Sequence, residues 1–318
     1  MHVTLIYGAP VLDEQWTTAA RALKHMLEIP TLMGRAKGQL VALDRDYVDE
    51  VYTLSDGRKL AYRQMEGSFS NPSASMCEHT LDFLCSASAV AAEACSMNHN
   101  GRAPTLLELY CGNGNHTVAL ACHFSRVLAV EIDRRLCEAA EHNLCVNGVT
   151  NASVLCASSG KFCKRLYYTM LKRNREADET VRADELLASS STESASDQGA
   201  IVEGKSAIPL EHCTATEADA PARPAPDEPP ELAWMREAQR RTDVILVDPP
   251  RCGLDADTLK LVALFDHVLY ISCNPDALLA NLRDSLAATH KICRWAVFDH
   301  FAYTQHLEMG VLLSRKEY

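Results

Sequence analysis

The feature that most constrains the fold is a regular alternation of short apolar runs and amphipathic runs that begins near residue 105. The apolar runs have the length of buried strands and lie at 106–109, 127–130, 153–155, 244–247 and 268–271. Helical patterns separate or follow them, at 115–123, 134–146, 158–173, 255–264 and 276–288. Strands that alternate with helices pair in parallel, with helices packed on the sheet. The sequence therefore predicts an α/β protein built on a doubly wound, mostly parallel sheet.

Smaller elements are expected on both sides of this pattern. Two closing apolar runs, near 294–299 and 308–314, have no helical pattern between them and predict a terminal antiparallel hairpin. Residues 1–66 predict a small N-terminal α/β region, because an apolar run at 3–7 precedes an amphipathic helical pattern. The sequence Asn71-Pro72-Ser73 then opens a long helix, since proline favours the first turn of a helix. We expect two domains, 1–66 and 67–318.

The net charge of −11 is concentrated in one segment, residues 176–231. This segment holds 14 acidic and 3 basic residues, so the rest of the chain carries 28 of each and is neutral as a whole. It is rich in Ser, Ala and Pro and poor in aromatic residues, a composition that buries too little apolar surface to fold. We predict a disordered acidic insertion in a surface loop of the 67–318 domain. The acidic total does not exclude a polyanionic partner for the neutral remainder.

The thirteen cysteines are scattered over apolar positions, which is typical of buried thiols in a reducing compartment. No pair has the C-x-x-C spacing of a zinc site. We expect no metal and no disulfide framework. No apolar run reaches the ~18 residues of a membrane span, and the N-terminus has no basic region of a signal peptide. We expect an intracellular, cytoplasmic protein without a membrane partner, although a mitochondrial or nuclear compartment is also compatible with the sequence. The sequence leaves the oligomeric state open.

A glycine turn follows the first strand of the alternating region, in the sequence LLELYCGNGNHT at 106–117. Two glycines one residue apart let the backbone turn sharply and approach a ligand at the start of a helix. Two acids accompany the turn, Glu108 before the glycines and Glu131 at the end of the next strand. A carboxylate at the position of Glu131 accepts ribose hydroxyls in dinucleotide-binding folds. The pattern predicts a nucleoside-binding site.

Two later strands end in residues that can do chemistry at the same sheet edge. Asp248 begins an Asp-Pro-Pro sequence, which holds its carboxylate on a stiff backbone. Cys273 follows the next strand and precedes a helix, whose N-terminus predicts a pKa lowered toward the thiolate. Glu308 opens the last strand after an aromatic loop and is a candidate general base if burial raises its pKa.

These motifs, LLELYCGNGN, VDPPRCGLD, YISCNP and FAYTQHLEMGVLL, resemble those of the RNA uridine-5-methyltransferases, which are class I, Rossmann-like enzymes. The segments HVTLIY, DRDYVDE and YRQMEGSFSNP look like the branch that methylates the T-loop uridine of transfer RNA. The resemblance covers nearly the whole chain outside 176–231. It implies S-adenosyl-L-methionine as cofactor and RNA, specifically tRNA, as partner.

The resemblance also implies a role for each site residue. The cofactor contacts of the family match five positions: Asn71, Tyr110, Asn115, Glu131 and Asp248. Cys273 matches the nucleophile of the family, and Glu308 matches its base. A thiolate that adds to C6 of uracil makes C5 nucleophilic toward a sulfonium methyl group, after which the base removes the C5 proton.

Three positions depart from the family pattern. Asn71 stands where the family has glutamine, His116 where it has phenylalanine, and Met309 where it has cysteine. The branch also carries an N-terminal RNA-facing segment; we expect this chain to begin after it, with residues 1–66 facing the RNA. Because the body is neutral, the RNA phosphates need a local basic patch, for which we expect Arg21, Lys24, Arg35, Lys37 and Arg63.

Two alternative functions fit parts of the sequence. The Asp-Pro-Pro loop also resembles the D-P-P-Y loop of adenine amino-methyltransferases, although Arg251 stands where the stacking aromatic residue would be. Those enzymes need no cysteine nucleophile. A catalytically impaired RNA-binding or tRNA-folding protein of the same fold is the second alternative, and the departure at Asn71 favours it.

Overall fold

The computed structural model describes residues 2–68, 71–98, 101–172 and 242–316. Its centre is a seven-stranded sheet with the order β11-β12-β10-β9-β6-β7-β8. The strands are β6 (Thr105–Leu109), β7 (Arg126–Glu131), β8 (Ala152–Cys156), β9 (Thr242–Val247), β10 (Phe265–Ser272), β11 (His290–Phe298) and β12 (Glu308–Arg315). Neighbouring strands from β10 to β8 pair in parallel, whereas β12 is antiparallel to both β10 and β11. The predicted fold class is confirmed.

Helices cover both faces of this sheet. They are α2 (Ala74–Asn98), α3 (Asn115–Leu120), α4 (Arg134–Val146), α5 (159–172, where the described residues stop), α6 (Ala256–Val262) and α7 (Pro275–Asn281). Successive strand side chains point to opposite faces, so Leu106 packs in the cluster under α2 and Leu107 in the cluster under α5. Burial on both faces explains why the parallel strands are continuous apolar runs. Among the described residues, no helix has the length and hydrophobicity to cross a membrane.

The first 66 residues form two structural pieces. The first is a three-stranded sheet, β1 (His2–Ile6), β2 (Thr31–Ala36) and β3 (Gln39–Ala42), with helix α1 (Glu14–Met26). The second is a hairpin, β4 (Tyr47–Thr53) and β5 (Lys59–Met65), which shares a hydrophobic cluster with α2. Tyr52 and Tyr62 of the hairpin are both 1% exposed, with ring centroids 5.2 Å apart. The domain boundary at residue 66 stays a prediction, and the hairpin is packed on the larger core.

A buried carboxylate holds the start of β9. Asp243 accepts hydrogen bonds from Arg102 Nη2 on both of its oxygens, at 3.0 and 2.9 Å. The backbone N–H of Thr105, at the start of β6, donates to the same carboxylate at 2.7 Å. Because β9 follows residues 173–241 in the chain, this clamp fixes its register against β6. The predicted acidic insertion at 176–231 lies outside the described residues.

Candidate active site

One cavity of about 450 Å³ opens at the carboxyl ends of β6, β7, β9 and β10. Its wall includes all seven residues predicted to bind the cofactor or to act in catalysis: Asn71, Tyr110, Asn115, Glu131, Asp248, Cys273 and Glu308. Five of them follow or end a parallel strand or open the helix after it, where ligands bind in open α/β sheets. Asn71 lies just before α2, and Glu308 is the first residue of β12. The fold therefore brings residues from 71 to 308 into a single site.

The glycine turn is held to the end of β7 by Glu131. The Oε2 atom of Glu131 accepts from the backbone N–H of Gly112 at 3.0 Å, and Oε1 accepts from Ile132 and Asp133 at 2.7 and 2.8 Å. Gly112 has φ 56°, and a Cβ added there would meet no atom within 4 Å, so its bare backbone faces open space beside the carboxylate. Such an opening suits a nucleoside that lies close to the main chain.

Gly114, in contrast to Gly112, lies in a crowded position. Its φ of 77° is left-handed, and an added Cβ would lie 3.2 Å from the Cβ of Ala140 on α4. Helix α3 begins directly after it, at Asn115. Glycine is therefore needed at 112 for an open surface and at 114 for a close approach between a turn and a helix.

The hairpin β4–β5 supports this turn from the side, which the sequence did not predict. The Nδ2 of Asn113 donates to the carbonyl of Arg63 and to Oε1 of Gln64, both at 2.9 Å. The hydroxyl of Tyr62 donates to the carbonyl of Asn115 at 2.9 Å. Hairpin residues Tyr52 and Gln64 also line the cavity. Contacts between such distant segments leave no periodic signal in the sequence.

Cys77 connects two of the predicted cofactor contacts. The amide Nδ2 of Asn115 lies 3.4 Å from Cys77 Sγ, and that of Asn71 lies 3.6 Å from the same sulfur. From the sequence Cys77 is a small buried hydrophobe, and it is indeed 1% exposed. The structure also places it in the cavity wall, where its thiol holds both amides in place.

Two carboxyl groups of the cavity wall, those of Glu308 and Asp248, act electrostatically on the thiol of Cys273. Burial raises the pKa of Glu308 to about 7. The pKa of Asp248 is raised well above its ordinary value, first by burial and then by the neighbouring carboxylate of Glu308. Two acids whose pKa values are raised by the same enclosed space are typical of a catalytic centre.

The prediction of a lowered pKa for Cys273 is wrong for the protein without ligand. Burial raises the pKa of this thiol, and the charges of Glu308 and Asp248 raise it further. A hydrogen bond from Arg251 and its positive charge act in the opposite direction. The helix that follows Cys273 has only seven residues, and its effect is outweighed by these nearer groups.

Glu108, the acid before the glycines, has a structural position. It is 1% exposed, does not line the cavity and accepts a hydrogen bond of 2.6 Å from Thr117 Oγ1. Its Oε1 lies 3.7 Å from Nδ1 of His116. Burial raises the pKa of Glu108 to about 8 and lowers that of His116 to about 4. Both groups are therefore neutral at pH 7, and their contact is not an ion pair.

The predicted basic patch in the N-terminal region is largely neutralised. Three of its five members pair with carboxylates: Lys24 with Asp44, Arg35 with Glu66 and Arg63 with Asp49. A second group of basic residues lies on α5, which contains no acidic residue over 159–172. The basic side chains of α5 are all exposed, at Lys161, Lys164, Arg165 and Lys172. Their spacing places them along one face of the helix.

Comparison with known families gives matches over most of the chain. The model of the family described as tRNA (Uracil-5-)-methyltransferase matches residues 1–185 and 232–316. A second model, described as RNA cap guanine-N2 methyltransferase, matches the shorter stretch 103–269, which holds much of the parallel sheet. The longer match includes the N-terminal region and the terminal hairpin, which the shorter one omits.

Individual relatives are similar over the full length of this chain. The tRNA/tmRNA (uracil-C(5))-methyltransferase of Neisseria gonorrhoeae (strain NCCP11945) is 35% identical over 320 residues, covering 99% of this chain and 68% of the relative. The enzyme of the same description from Aromatoleum aromaticum is 37% identical over 323 residues, covering 99% of this chain and 66% of the relative. The chain thus spans about two thirds of the length of these relatives.

A solved structure shares the fold. The Pyrococcus abyssi tRNA (uracil-54, C5)-methyltransferase, crystallised with S-adenosyl-L-homocysteine, superposes with a TM-score of 0.56 at 15% sequence identity. The superposition covers 98% of this chain and 56% of that chain. At this identity the likeness establishes a common architecture of strands and helices.

Proposed function

The chain belongs to the tRNA (uracil-5-)-methyltransferase family, and on that premise we propose that it methylates C5 of the T-loop uridine of tRNA through a covalent adduct of Cys273. It is a methyltransferase that uses S-adenosyl-L-methionine. The observation that carries the proposal is the shared cavity, in which Cys273 and Glu308 meet the five predicted cofactor contacts, Asp248 among them. The motifs DRDYVDE and YRQMEGSFSNP support the T-loop uridine as the target.

The residues of the cavity fit S-adenosyl-L-methionine. Glu131 and the bare backbone of Gly112 suit a ribose, and the amides of Asn71 and Asn115 offer donors and acceptors nearby. Asp248 and Glu308 provide carboxyl groups that complement a positively charged sulfur. When bound, the cofactor supplies an electrophilic methyl group on that sulfur.

Cys273 makes the uracil ring reactive in this mechanism. Its sulfur forms a bond to C6, and the electron pair of the C5–C6 double bond moves to give an enolate that is nucleophilic at C5. C5 of this enolate would then take the methyl group of bound S-adenosyl-L-methionine, whose sulfur would keep the electron pair of the broken S–CH3 bond. Arg251, which contacts Cys273, stabilises the thiolate form needed for this addition. A uridine within a loop must leave its stack to expose C6 to the sulfur.

Glu308 completes the reaction as the base. It takes the proton from C5 as the C5–C6 double bond forms again, and the sulfur of Cys273 leaves with the electron pair of its bond to C6. A carboxylate whose pKa is raised to about 7 by burial is a stronger base than an exposed one and is still ionised at a working pH above 7. The methylated uridine is then free, and Glu308 releases its proton to solvent, which restores the starting state of the enzyme.

Exposed basic side chains support RNA as the substrate. The strip of basic residues on α5 runs along a helix whose opposite face packs under the sheet through Phe162 and Leu166. Phosphate groups contribute most of the affinity in RNA and DNA complexes, and they need such exposed cations.

Mass spectrometry of tRNA tests the proposal. We expect 5-methyluridine at the T-loop position in tRNA from cells that express the protein and its loss when the gene is deleted. Methylated adenine instead would favour the adenine amino-methyltransferase alternative, and unchanged tRNA would favour an RNA-binding protein. RNA containing 5-fluorouridine adds a test of mechanism. Fluorine at C5 cannot be removed as a proton, so an active Cys273 should remain covalently bound to this RNA in a denaturing gel.

A further inference from the structure

The loop between β11 and β12, residues 299–307, joins the cavity wall at its C-terminal end and packs against α2 at its N-terminal end. We name it the rim loop. Its C-terminal end runs directly into Glu308, which lines the cavity. Near its N-terminal end, His300 Nε2 lies 3.0 Å from Thr80 Oγ1, in a contact that is buried on both sides. Thr80 lies less than one turn along α2 from Cys77, another residue of the cavity wall. The rim loop is therefore anchored beside the site.

A tight turn at the tip of the rim loop holds Tyr303 outward. The backbone N–H and the hydroxyl of Thr304 both donate to the carbonyl of Phe301, at 3.0 and 2.7 Å. The rings of Phe301 and His306 meet edge to face with centroids 6.0 Å apart, closing the base of the turn. Between them, Tyr303 has φ 65°, and its side chain is fully exposed, at 108%.

The left-handed backbone of Tyr303 and the full exposure of its ring are both energetically unfavourable in the free protein. A left-handed backbone is unfavourable for a residue with a Cβ, and glycine or asparagine would adopt this turn more easily. A fully exposed aromatic ring gains nothing from packing in the free protein. Two other exposed aromatic residues lie in regular structure without this strain: Trp295 is 67% exposed on β11, and Tyr168 is 60% exposed on α5. Strain that persists beside a cavity points to a function in the complex with a ligand.

We propose that Tyr303 stacks on a nucleobase of the RNA, at a nucleotide next to the uridine that enters the cavity. The inference rests on the proposed function, because it takes RNA as the substrate. When a uridine leaves its stack, the neighbouring base loses a stacking partner, and an aromatic ring can replace it. Tyr303 is five residues from Glu308, so the chain separates them by at most ~17 Å, a distance that a few nucleotides span.

Direct binding of RNA tests the inference. The Tyr303→Ala variant should bind a tRNA T-arm hairpin at least roughly tenfold more weakly, the scale for loss of one stacked base. Its affinity for S-adenosyl-L-methionine should be unchanged. Tyr303→Phe should retain wild-type affinity, since stacking needs the ring and not the hydroxyl. Trp295→Ala removes an exposed aromatic side chain from a strand and serves as the matched control.

A second variant separates binding from folding. Tyr303→Gly relieves the left-handed strain, so it should melt at the same or a higher temperature than the wild type while losing the same RNA affinity as Tyr303→Ala. Affinity within twofold of wild type for both variants would overturn the inference. Because these measurements need no turnover, they stand even if the bound RNA is not methylated, and failure of the proposed function would appear separately in the tRNA mass spectra.

Discussion

The carboxylate of Glu131 bonds to the backbone N–H of Gly112 across 3.0 Å, joining the ends of two adjacent parallel strands. One side chain thus shapes the glycine turn and also lines the cavity beside it. Substitution can separate this structural role from the proposed role in cofactor binding, because glutamine keeps one of the two acceptor oxygens.

We expect Glu131→Ala to weaken S-adenosyl-L-methionine binding by ~1.5–3 kcal/mol, the scale for losing hydrogen bonds to a charged group. Titration calorimetry measures the change. Glu131→Gln should lose less, and the exposed Glu138→Ala on α4 is the control for removing a carboxylate nearby. Unchanged affinity in Glu131→Ala would place this residue outside the cofactor site.

The nucleophile prediction concerns Cys273. We expect Cys273→Ala to abolish methyl transfer while S-adenosyl-L-methionine binding stays within about threefold, because a thiol contributes little to cofactor affinity compared with charged hydrogen bonds. Methyl incorporation into tRNA measures the first effect and calorimetry the second. The exposed Cys252, in the loop after Asp248, supplies the control variant Cys252→Ala, which should remain active. Substantial turnover by Cys273→Ala would end the assignment.

The raised pKa of Glu308 predicts the pH dependence of activity. The base must be ionised to accept the C5 proton, so the rate should fall about tenfold for each pH unit below about 7. Glu308→Gln should accumulate the covalent adduct, because addition to C6 is possible and elimination is not. A flat profile between pH 5 and 7 in the wild type would exclude Glu308 as the rate-limiting base.

The free energy of unfolding should decrease as pH rises, in contrast to the activity, because of the same carboxyl group of Glu308. A carboxyl whose pKa rises on folding binds its proton more tightly in the folded state, so stability decreases as pH rises from about 4.5 to about 7. Glu308→Gln removes this cost, up to ~3 kcal/mol at 1.36 kcal/mol per pKa unit. We expect a higher melting temperature than wild type at pH 8 and little gain at pH 4. Equal gains at both pH values would indicate a packing effect instead.

The acidic segment predicts an electrostatic effect on RNA binding. Deleting residues 178–230 should leave fold and activity intact and strengthen RNA binding, because it removes most of the chain's net negative charge. The gain should be larger at low salt, where the Debye length increases. A shortened protein that melts at a lower temperature or loses methyl transfer would contradict the prediction.

The double variant Lys161→Glu, Lys164→Glu on α5 should instead weaken RNA binding, because it replaces two exposed positive charges with negative ones.

Periodicity was sufficient to predict the parallel sheet and the terminal hairpin, because strands buried on both faces are continuous apolar runs. It did not predict β2 or β4. In β4, a half-exposed hairpin strand, the charged residues Asp49 and Glu50 interrupt the apolar pattern. The site residues were predicted from strand-end motifs and the family resemblance, and the structure brings all of them to one cavity. Their roles stay predictions.

What the sequence could not supply is the environment of each group. The pKa of Cys273 depends on how close Glu308 and Asp248 come in space, and these residues are 35 and 25 positions away in the chain. Cys77 carries no motif that distinguishes it from the other buried cysteines. The hairpin support of Asn113 likewise depends on packing between segments about 50 residues apart.

The clamp on Asp243 has a consequence for how this chain can evolve. Val247 of β9 pairs with Tyr270 of β10, and this pairing sets the position of Asp248 relative to Cys273. Both residues follow the clamp in the chain, so their relative position does not depend on the sequence before β9. Each doubling of a loop costs only about 0.6 kcal/mol in closure entropy. The part of the chain before β9 can therefore gain or lose residues over generations, while the distance between Asp248 and Cys273 is inherited unchanged.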